Sequence, residues 1–300
     1  MKEQAPREGE VCSFFNPPCA EAMKRVGKDR NMQRQQELLR DIELFVLDMD
    51  GTFYCGDRMI EGSLCFLEAA EESGKKYMFF TNNSSRAPEQ YIKKLASMGC
   101  RIARDQIMTS GDVAIQYLKT MRPRKTVYLL GTPELEADFA KADIPLTKDA
   151  PDIVMVGFDQ TLTYEKLERA CTYIRGGAEF LSTHPDINCP VDGGFIPDSG
   201  AICAAIALST GKSPRYLGKP YGETVQMITG RTGVPIERIA FVGDRLYTDI
   251  AVGVNHGAKG FLVLSGETTL EDLEESQVRP DAVFKNLAEI GRILSENKKS

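Results

Sequence analysis

Histidine is scarce in this sequence, and its scarcity excludes several kinds of active site. Only two histidines, His184 and His256, occur among 300 residues. Catalytic Ser-His-Asp and Cys-His arrangements both need a histidine base, so the chain has almost no candidates for them. If the protein is an enzyme, we therefore expect carboxylates and a metal ion to be its catalytic groups.

The cysteines lack the spacing of a metal cluster. Eight are present, but no two form a Cys-x-x-Cys pair, and they are scattered through the predicted strands, helices and loops. This pattern argues against a zinc cluster and against a disulfide framework. In a reducing compartment such cysteines behave as small buried apolar residues.

Long apolar runs and basic clusters are also missing. No stretch approaches the roughly 20 apolar residues that span a bilayer, and the N-terminus has no apolar signal-peptide core. Lys and Arg number 37 against 43 Asp and Glu, a net charge of −6, which is unfavourable for nucleic acid. We therefore expect a cytoplasmic protein that binds neither membranes nor nucleic acid. Apolar residues make up 42% of the chain, enough for an ample core.

The order of predicted elements indicates an α/β fold. Residues 1–40 are polar and weakly patterned, and we interpret them as a flexible extension that ends in a short helix. Translation from Met32 instead of Met1 is an alternative. From residue 43 onward, apolar strands alternate with helical patterns, which is typical of a doubly wound parallel sheet.

The most informative motif is a pair of acids at a predicted strand end. Asp48 and Asp50 directly follow the apolar run Leu44–Leu47, and Gly51 comes next. A strand end that curls into a loop directs both carboxylates at one pocket, and such a pair implies a cation or a shared proton. The alternative is an ordinary turn with a helix-capping aspartate.

Three further polar motifs follow predicted strands, and parallel strands gather their carboxyl ends at one edge of a sheet. Thr81–Ser85 offers hydroxyl and amide donors, or else is a polar loop with an Asn cap. Lys219 stands between Gly and Pro, either directed from a buried edge or as a solvated charge. Asp244 and Asp249 would lie about 140° apart on a continuous helix, so a loop leading into a helix near Asp249 is needed to bring them together.

Together these four motifs, DMDGT, TNNSS, GKP and GDRLYTD, resemble the haloacid dehalogenase superfamily of phosphohydrolases. The resemblance runs from about residue 43 to residue 290, and it extends to one branch of the superfamily, subfamily IIA, with its NagD-like, 4-nitrophenyl phosphate and phosphoglycolate phosphatases. It implies a Rossmann-like core over residues 41–112 and 210–300. An inserted α/β cap would span residues 113–209, and caps of this type often form homodimers.

The resemblance also implies a mechanism, in which a Mg²⁺-dependent phosphomonoesterase hydrolyses a small phosphorylated metabolite through an aspartyl-phosphate. Asp48 is the expected nucleophile and Asp50 the general acid and base. The metal ligands would be the Asp48 side chain, the Asp50 carbonyl and Asp244, with Asp249 beside them to hold water or Lys219. Lys219 and four neighbours of the acids are expected to contact the phosphoryl group or shape its loop: Gly51, Thr81, Asn82 and Asn83.

The predicted cap contains one candidate specificity loop, which runs from His184 to Gly200 and is rich in turn residues. Its candidate substrate contacts are His184, Asp186 and Asn188. A solvated connection is the alternative for the loop, and a capping or packing role is the alternative for His184. The matching family segment usually reads TNPD, so His184 is a departure from the family pattern.

Other functions remain open from the sequence. A signalling receiver domain also combines aspartates, Mg²⁺, a hydroxyl and a lysine, but Asp50 and the long insertion disfavour it. A catalytically silent or signalling phosphate-binding protein on the same fold is a second alternative, and a phosphomutase is a third.

Overall fold

The computed structural model describes residues 32–191 and 193–297. The chain divides into two units, residues 1–40 and residues 41–300. Of the first unit, residues 32–40 are described; they are helical, and this helix (α1) spans residues 32–41. The flexible extension was predicted over residues 1–40 with a short helix at its end, and residues 1–31 of it lie outside the described residues.

The second unit alternates strands and helices along most of its length. Its strands are β1 (Leu44–Leu47), β2 (Tyr54–Cys55), β3 (Arg58–Met59), β4 (Lys76–Thr81), β5 (Ile107–Thr109), β6 (Val127–Leu130), β7 (Ile153–Val156), β8 (Glu179–Ser182), β9 (Asn188–Val191), β10 (Gly194–Pro197), β11 (Arg215–Tyr216), β12 (Ile239–Gly243), β13 (Lys259–Val263) and β14 (Ala282–Phe284). Its helices are α2 (Ser63–Glu72), α3 (Pro88–Ser97), α4 (Ser110–Met121), α5 (Pro133–Lys141), α6 (Tyr164–Arg175), α7 (Ser199–Thr210), α8 (Gly222–Thr232), α9 (Ala251–Val254), α10 (Leu270–Glu275) and α11 (Leu287–Asn297).

A six-stranded parallel sheet in the order β14-β13-β12-β1-β4-β5 carries helices on both faces. Alternate residues of β1 point to opposite faces. Phe45 packs edge-on against Phe66 of α2, with ring centroids 5.3 Å apart. Val46 belongs to a buried cluster on the other face that includes Val225 and Ile228 of α8. Because both faces are covered, β1 and β12 are buried throughout, which explains their continuous apolar sequences. The doubly wound α/β prediction is confirmed.

A second, four-stranded parallel sheet in the order β11-β8-β7-β6 takes three strands from the predicted cap, residues 113–209, and its edge strand β11 from beyond that predicted end. Helices α6 and α7 cover one of its faces through a separate apolar cluster. Its other face contributes Met155 and Leu181 to the cluster that contains Leu44 and Val46 of β1. The predicted cap boundaries fall inside α4 and at the end of α7, and the division into core and cap stays a prediction.

Two short antiparallel hairpins were not predicted. The first, β2–β3, follows the acid pair, and the second, β9–β10, lies inside the predicted specificity loop. Within the described residues, no helix combines the length and the apolar character needed to cross a bilayer.

Candidate active site

The four motifs meet at the carboxyl edge of the six-stranded sheet. Strand β1 lies between β4 and β12, so Asp48, Thr81 and Asp244 come from the ends of three adjacent parallel strands. Lys219 follows β11 and enters the same cleft, whose volume is about 390 Å³. Adjacent strand ends therefore bring together residues that are far apart in the sequence.

Lys219 is the centre of the site. Its Nζ donates to Oδ1 of Asp48 at 2.7 Å and to Oδ1 of Asp249 at 2.5 Å. The residue is only 3% exposed. Burial lowers the pKa of Lys219, but the Asp249 and Asp48 carboxylates outweigh it and raise the pKa above its usual value. Lys219 is therefore an ammonium ion on the floor of the cleft.

Three carboxylates crowd together here, and two of them are the partners of Lys219. Oxygens of Asp48, Asp244 and Asp249 all lie within 4.8 Å of one another. Burial, reinforced by the charge of Asp249, raises the pKa of Asp48 to about 7 and that of Asp244 to about 6. Lys219 opposes the rise at Asp48. Three carboxylates beside one ammonium ion carry an excess of negative charge. Their hard oxygen donors can hold a divalent cation.

A π-helical turn, Leu246–Ile250, brings Asp249 to this cluster. The Ile250 amide donates to the Arg245 carbonyl at 3.2 Å, and Oδ2 of Asp249 accepts from the Arg245 amide at 3.1 Å. A Cβ on Gly243 would lie 2.2 Å from that of Asp249, so only glycine permits this close approach. The predicted helix from Asp249 onward is thus partly wrong: the wider turn comes first and α9 follows it.

The predicted contact of Gly51 with the phosphoryl group is not supported by the geometry. The Gly51 amide donates to the Tyr54 carbonyl at 2.7 Å, so it is not available to a phosphoryl oxygen in this structure. The glycine has another role, because a Cβ at this position would lie only 2.3 Å from Oδ2 of Asp244. Its φ of +82° is also a backbone conformation that glycine adopts readily. Neighbouring Asp50 lines the cleft, where loss of hydration raises its pKa against the opposing charge of Lys94.

The Thr81–Asn83 segment lines the cleft beside Asp48. The Asn82 side chain donates to the Lys219 carbonyl at 3.0 Å and accepts from the Lys219 amide at 2.9 Å, so it fixes the lysine loop. Oδ1 of Asn83 accepts from the Ser85 amide and hydroxyl at 2.9 and 2.7 Å, a geometry that supports its expected loop-orienting role. The Thr81 hydroxyl accepts from the Asn83 amide at 3.2 Å.

The three predicted loop residues differ in placement. Asn188 lines the cleft, and Asp186 accepts from the Asn82 amide group at 3.0 Å. His184 is fully buried, and its Nε2 lies 2.8 Å from Oδ1 of Asp198. Burial lowers the pKa of His184, but Asp198 outweighs it and the pKa is raised. His184 therefore ties together the start and the end of the candidate specificity loop through Asp198, and it does not line the cleft.

The comparisons with known proteins agree with this geometry. A sequence model described as haloacid dehalogenase-like hydrolase matches residues 45–145, and a related one, described as HAD-hydrolase-like, matches residues 216–290. An acid sugar phosphatase of Staphylococcus aureus is 35% identical over 254 residues, covering 84% of this chain and 97% of the relative. The chain belongs to the haloacid dehalogenase-like hydrolase family.

Solved structures place this hydrolase in the NagD-like phosphatase branch. The 4-nitrophenylphosphatase of Thermotoga maritima is 48% identical with a TM-score of 0.83, covering 85% of this chain and 98% of the other. NagD of Escherichia coli K-12 is 28% identical with a TM-score of 0.78, covering 83% and 98%. The predicted family and enzyme class, a phosphatase, are confirmed.

Sequence reasoning missed Arg245, which this hydrolase places in the cleft. Its guanidinium lies 3.6 Å from Oδ2 of Asp186 and 2.9 Å from Oε2 of Glu267. Burial lowers the pKa of Arg245, but Asp48 and the other nearby acids outweigh it and raise the pKa. Arg245 joins the fourth motif to the candidate specificity loop. Its position inside the GDRLYTD motif indicated that it lies near the site, but no sequence pattern indicated its ion pair with Asp186.

Another missed group forms the cleft wall beyond Asp50. It consists of two tyrosines and two cations, Tyr54, Arg86, Tyr91 and Lys94. Arg86 directly follows the TNNSS motif, and Tyr91 and Lys94 lie one turn apart on α3. The sequence alone could not distinguish this arrangement from an ordinary solvated helix face.

Proposed function

We propose that this hydrolase is a Mg²⁺-dependent phosphomonoesterase that acts on small phosphorylated metabolites through an aspartyl-phosphate on Asp48. The observation that carries the proposal is the buried Lys219 ammonium between Asp48 and Asp249. A cation fixed beside a carboxylate nucleophile offsets the repulsion between that carboxylate and a phosphate dianion. A silent phosphate-binding protein would need the lysine but not the acid pair.

The acidic cluster fits a magnesium ion. Its donors are all oxygens, which a small hard cation prefers. Gly51 and Gly266 both leave room around Asp244, since a Cβ on either would lie within 2.3 Å of Oδ2. Asp48, Asp244 and the Asp50 carbonyl would hold the ion, and Asp249 would hold Lys219. The ion would supply the remaining charge neutralisation for the phosphoryl oxygens.

The side chains then divide the reaction into two steps. An Asp48 oxygen forms a bond to phosphorus while the ester P–O bond breaks, and the departing oxygen takes a proton from Asp50. Asp50 next accepts a proton from water, whose oxygen attacks phosphorus and releases Asp48 and inorganic phosphate. Lys219, the Thr81 hydroxyl and the backbone amide of Asn82 hold the phosphoryl oxygens throughout. The raised pKa of Asp50 suits this exchange of roles.

The cleft favours a small substrate. Its volume of about 390 Å³ is at the low end of ligand pockets, which run from roughly 300 to 1,000 Å³. The names of two relatives, an acid sugar phosphatase and a 4-nitrophenylphosphatase, also support a small phosphate ester. A cytoplasmic location and a homodimer through the cap stay predictions.

Metal dependence is the direct test of the proposal. The purified protein is expected to hydrolyse 4-nitrophenyl phosphate with added Mg²⁺, to lose activity in EDTA and to regain it when Mg²⁺ is restored. The reason is that Lys219 alone leaves an excess of negative charge in the cluster. Equal turnover in EDTA and in Mg²⁺ would contradict the metal assignment.

Asp50→Asn is expected to separate the two steps. The 4-nitrophenolate group leaves without a proton, so the first step should remain while water activation fails. Release of 4-nitrophenolate should then show a burst of about one equivalent followed by a rate lowered about 10²-fold or more. Alkyl phosphates, whose leaving oxygen needs the proton, should show no burst. Rapid-quench kinetics measures both.

The control for this prediction is Asp57→Asn, which removes another carboxylate from the same cleft wall. It should show no burst. If Asp50→Asn left good and poor leaving groups equally active, the assignment of Asp50 as acid and base would be wrong.

A further inference from the structure

Three side chains of the cleft wall have no part in the mechanism above. Arg86, Tyr91 and Lys94 line the same cavity as Asp48 and Asp50. Tyr91 and Lys94 are three residues apart on α3, so both project from one side of the helix. All three therefore line the cavity in which a bound ester would place the group attached to its phosphate.

Tyr91 carries the strongest sign of a missing ligand. The residue is 5% exposed, and its hydroxyl has no hydrogen-bond partner among the described residues. A buried hydroxyl without a partner is costly and calls for an explanation. Burial raises the pKa of Tyr91 more than Arg86 lowers it, so the hydroxyl stays a donor. Its natural complement is an acceptor atom of a bound molecule.

Arg86 and Lys94 add positive charge around this hydroxyl. Arg86 is exposed to the cleft and makes no hydrogen bond or ion pair within residues 32–191 and 193–297. Its charge acts on the hydroxyls of both Tyr54 and Tyr91. Lys94 lies 4.1 Å from the Tyr54 ring centroid, and its ion pair with the fully exposed Asp57 is long, at 3.9 Å. Such a long pair with a fully exposed carboxylate is weak and leaves the ammonium available.

The carboxylates of the same cleft do not cancel this charge, because most are already engaged. Lys219 pairs with Asp48 and Asp249, and Asp186 accepts from Asn82. The exceptions are Asp57, held only by its long ion pair with Lys94, and Asp50, on which the charge of Lys94 acts. Asp50 is also the proposed proton donor to the departing oxygen, so the leaving alcohol lies between Asp50 and the cationic wall.

We propose that Arg86, Tyr91 and Lys94 form a subsite for an anionic group on the leaving alcohol, so that the preferred substrate is a small phosphate ester carrying a second oxyanion. The inference rests on the proposed phosphatase function and specifies its substrate class. A carboxylate or a second phosphate would accept from the Tyr91 hydroxyl and from both cations. A neutral hydroxyl group would leave Arg86 without an ion-pair partner among the described residues, and Lys94 with only its long pair to Asp57.

A matched series of substrates tests the subsite. Phosphoglycolate, ethylene glycol bisphosphate, 2-hydroxyethyl phosphate and 2-aminoethyl phosphate share a two-carbon leaving group that ends in a carboxylate, a phosphate, a hydroxyl and an ammonium. With Mg²⁺ present, kcat/KM for at least one anionic member should exceed that of the hydroxyl member by about tenfold or more. The ammonium member should be the poorest. The better anion tells whether the subsite selects carboxylate or phosphate.

Variants separate the subsite from the intrinsic reactivity of these esters. Arg86→Gln and Lys94→Gln should each lower the ratio of anionic to neutral kcat/KM by about tenfold, and Tyr91→Phe should lower it less. The matched controls are Lys93→Gln, an exposed neighbour on the same helix, and Tyr117→Phe, which removes a second buried hydroxyl with no hydrogen-bond partner in the described part of the chain. Neither control residue lines the cleft, and neither should change the ratio.

The outcomes distinguish the two proposals. No hydrolysis of 4-nitrophenyl phosphate would overturn the phosphatase proposal and the subsite with it. Hydrolysis of 4-nitrophenyl phosphate with equal kcat/KM for anionic and neutral members would overturn the subsite alone. So would an Arg86→Gln protein that loses activity on both members equally. Because Arg86 is exposed, this variant should fold, and it decides the matter even if Tyr91→Phe does not fold.

Discussion

Asp48→Asn is expected to lower kcat for 4-nitrophenyl phosphate by roughly 10⁴-fold or more, the scale found when a catalytic nucleophile is removed. The amide of asparagine cannot form the acyl-phosphate that splits hydrolysis into two steps. The carboxylate it replaces is the one that Lys219 holds at 2.7 Å. Steady-state kinetics measures the rate. Acid quenching followed by hydroxylamine treatment measures the phosphorylated enzyme, which should form in the wild type alone.

The same variant should remain folded. Asparagine keeps the volume of aspartate and can still accept a hydrogen bond from Lys219. It also removes one of three crowded carboxylates, in which burial and then repulsion by Asp249 raise the pKa of Asp48 to about 7. We therefore expect the free energy of unfolding in metal-free buffer to fall by no more than about 1 kcal/mol.

Asp105→Asn is the matched control, because Asp105 is exposed and does not line the cleft. It should match the wild type in rate and in stability. A purified Asp48→Asn protein with the rate of the wild type would exclude Asp48 as nucleophile, and a labelled acyl-phosphate in that variant would place the nucleophile elsewhere.

The main sheet could be predicted because its strands are buried on both faces. Burial of both faces makes β1 and β12 continuous apolar runs that end abruptly at polar motifs. Strand β7 is likewise buried throughout. The β9–β10 hairpin gave no such signal. Its strands include Pro190 and Pro197, which are unusual inside a sheet. Most side chains of both strands are exposed, so no alternation of apolar and polar residues marks the hairpin.

The candidate site was predictable where neighbouring strand ends alone bring residues together. Asp48, Thr81 and Asp244 follow adjacent strands, and their proximity needs only the strand order. Gly51 was assigned the wrong donor role because the hydrogen bond of its amide depends on the local turn with Tyr54. The pairing of Asn82 with Lys219, and of Arg245 with Asp186, spans long sequence separations through side chains. No single-sequence pattern encodes such contacts.

Lys219→Met is expected to have the second large effect, on both activity and stability. It removes the only cation within hydrogen-bonding distance of Asp48 and Asp249 in the described part of the chain. Loss of a buried charged donor to the phosphoryl oxygens should lower kcat/KM about 10³-fold. Leaving two buried carboxylates without their partner should lower the free energy of unfolding by about 3 kcal/mol in EDTA. Urea unfolding and 4-nitrophenyl phosphate kinetics measure the two effects.

The cause of the instability can be tested separately from the loss of activity. If repulsion between unpaired carboxylates destabilises Lys219→Met, then Lys219→Met/Asp249→Asn should recover part of the lost unfolding free energy in EDTA while remaining inactive. Added Mg²⁺ should stabilise the single variant more than the double one, because the cluster of the single variant keeps one more negative charge. Lys212→Met, at an exposed lysine outside the cleft, should change neither property. A single variant as stable as the wild type in EDTA, or a double variant no more stable than the single one, would show that Lys219 does not neutralise this cluster, and the electrostatic basis of the proposed mechanism would then fail.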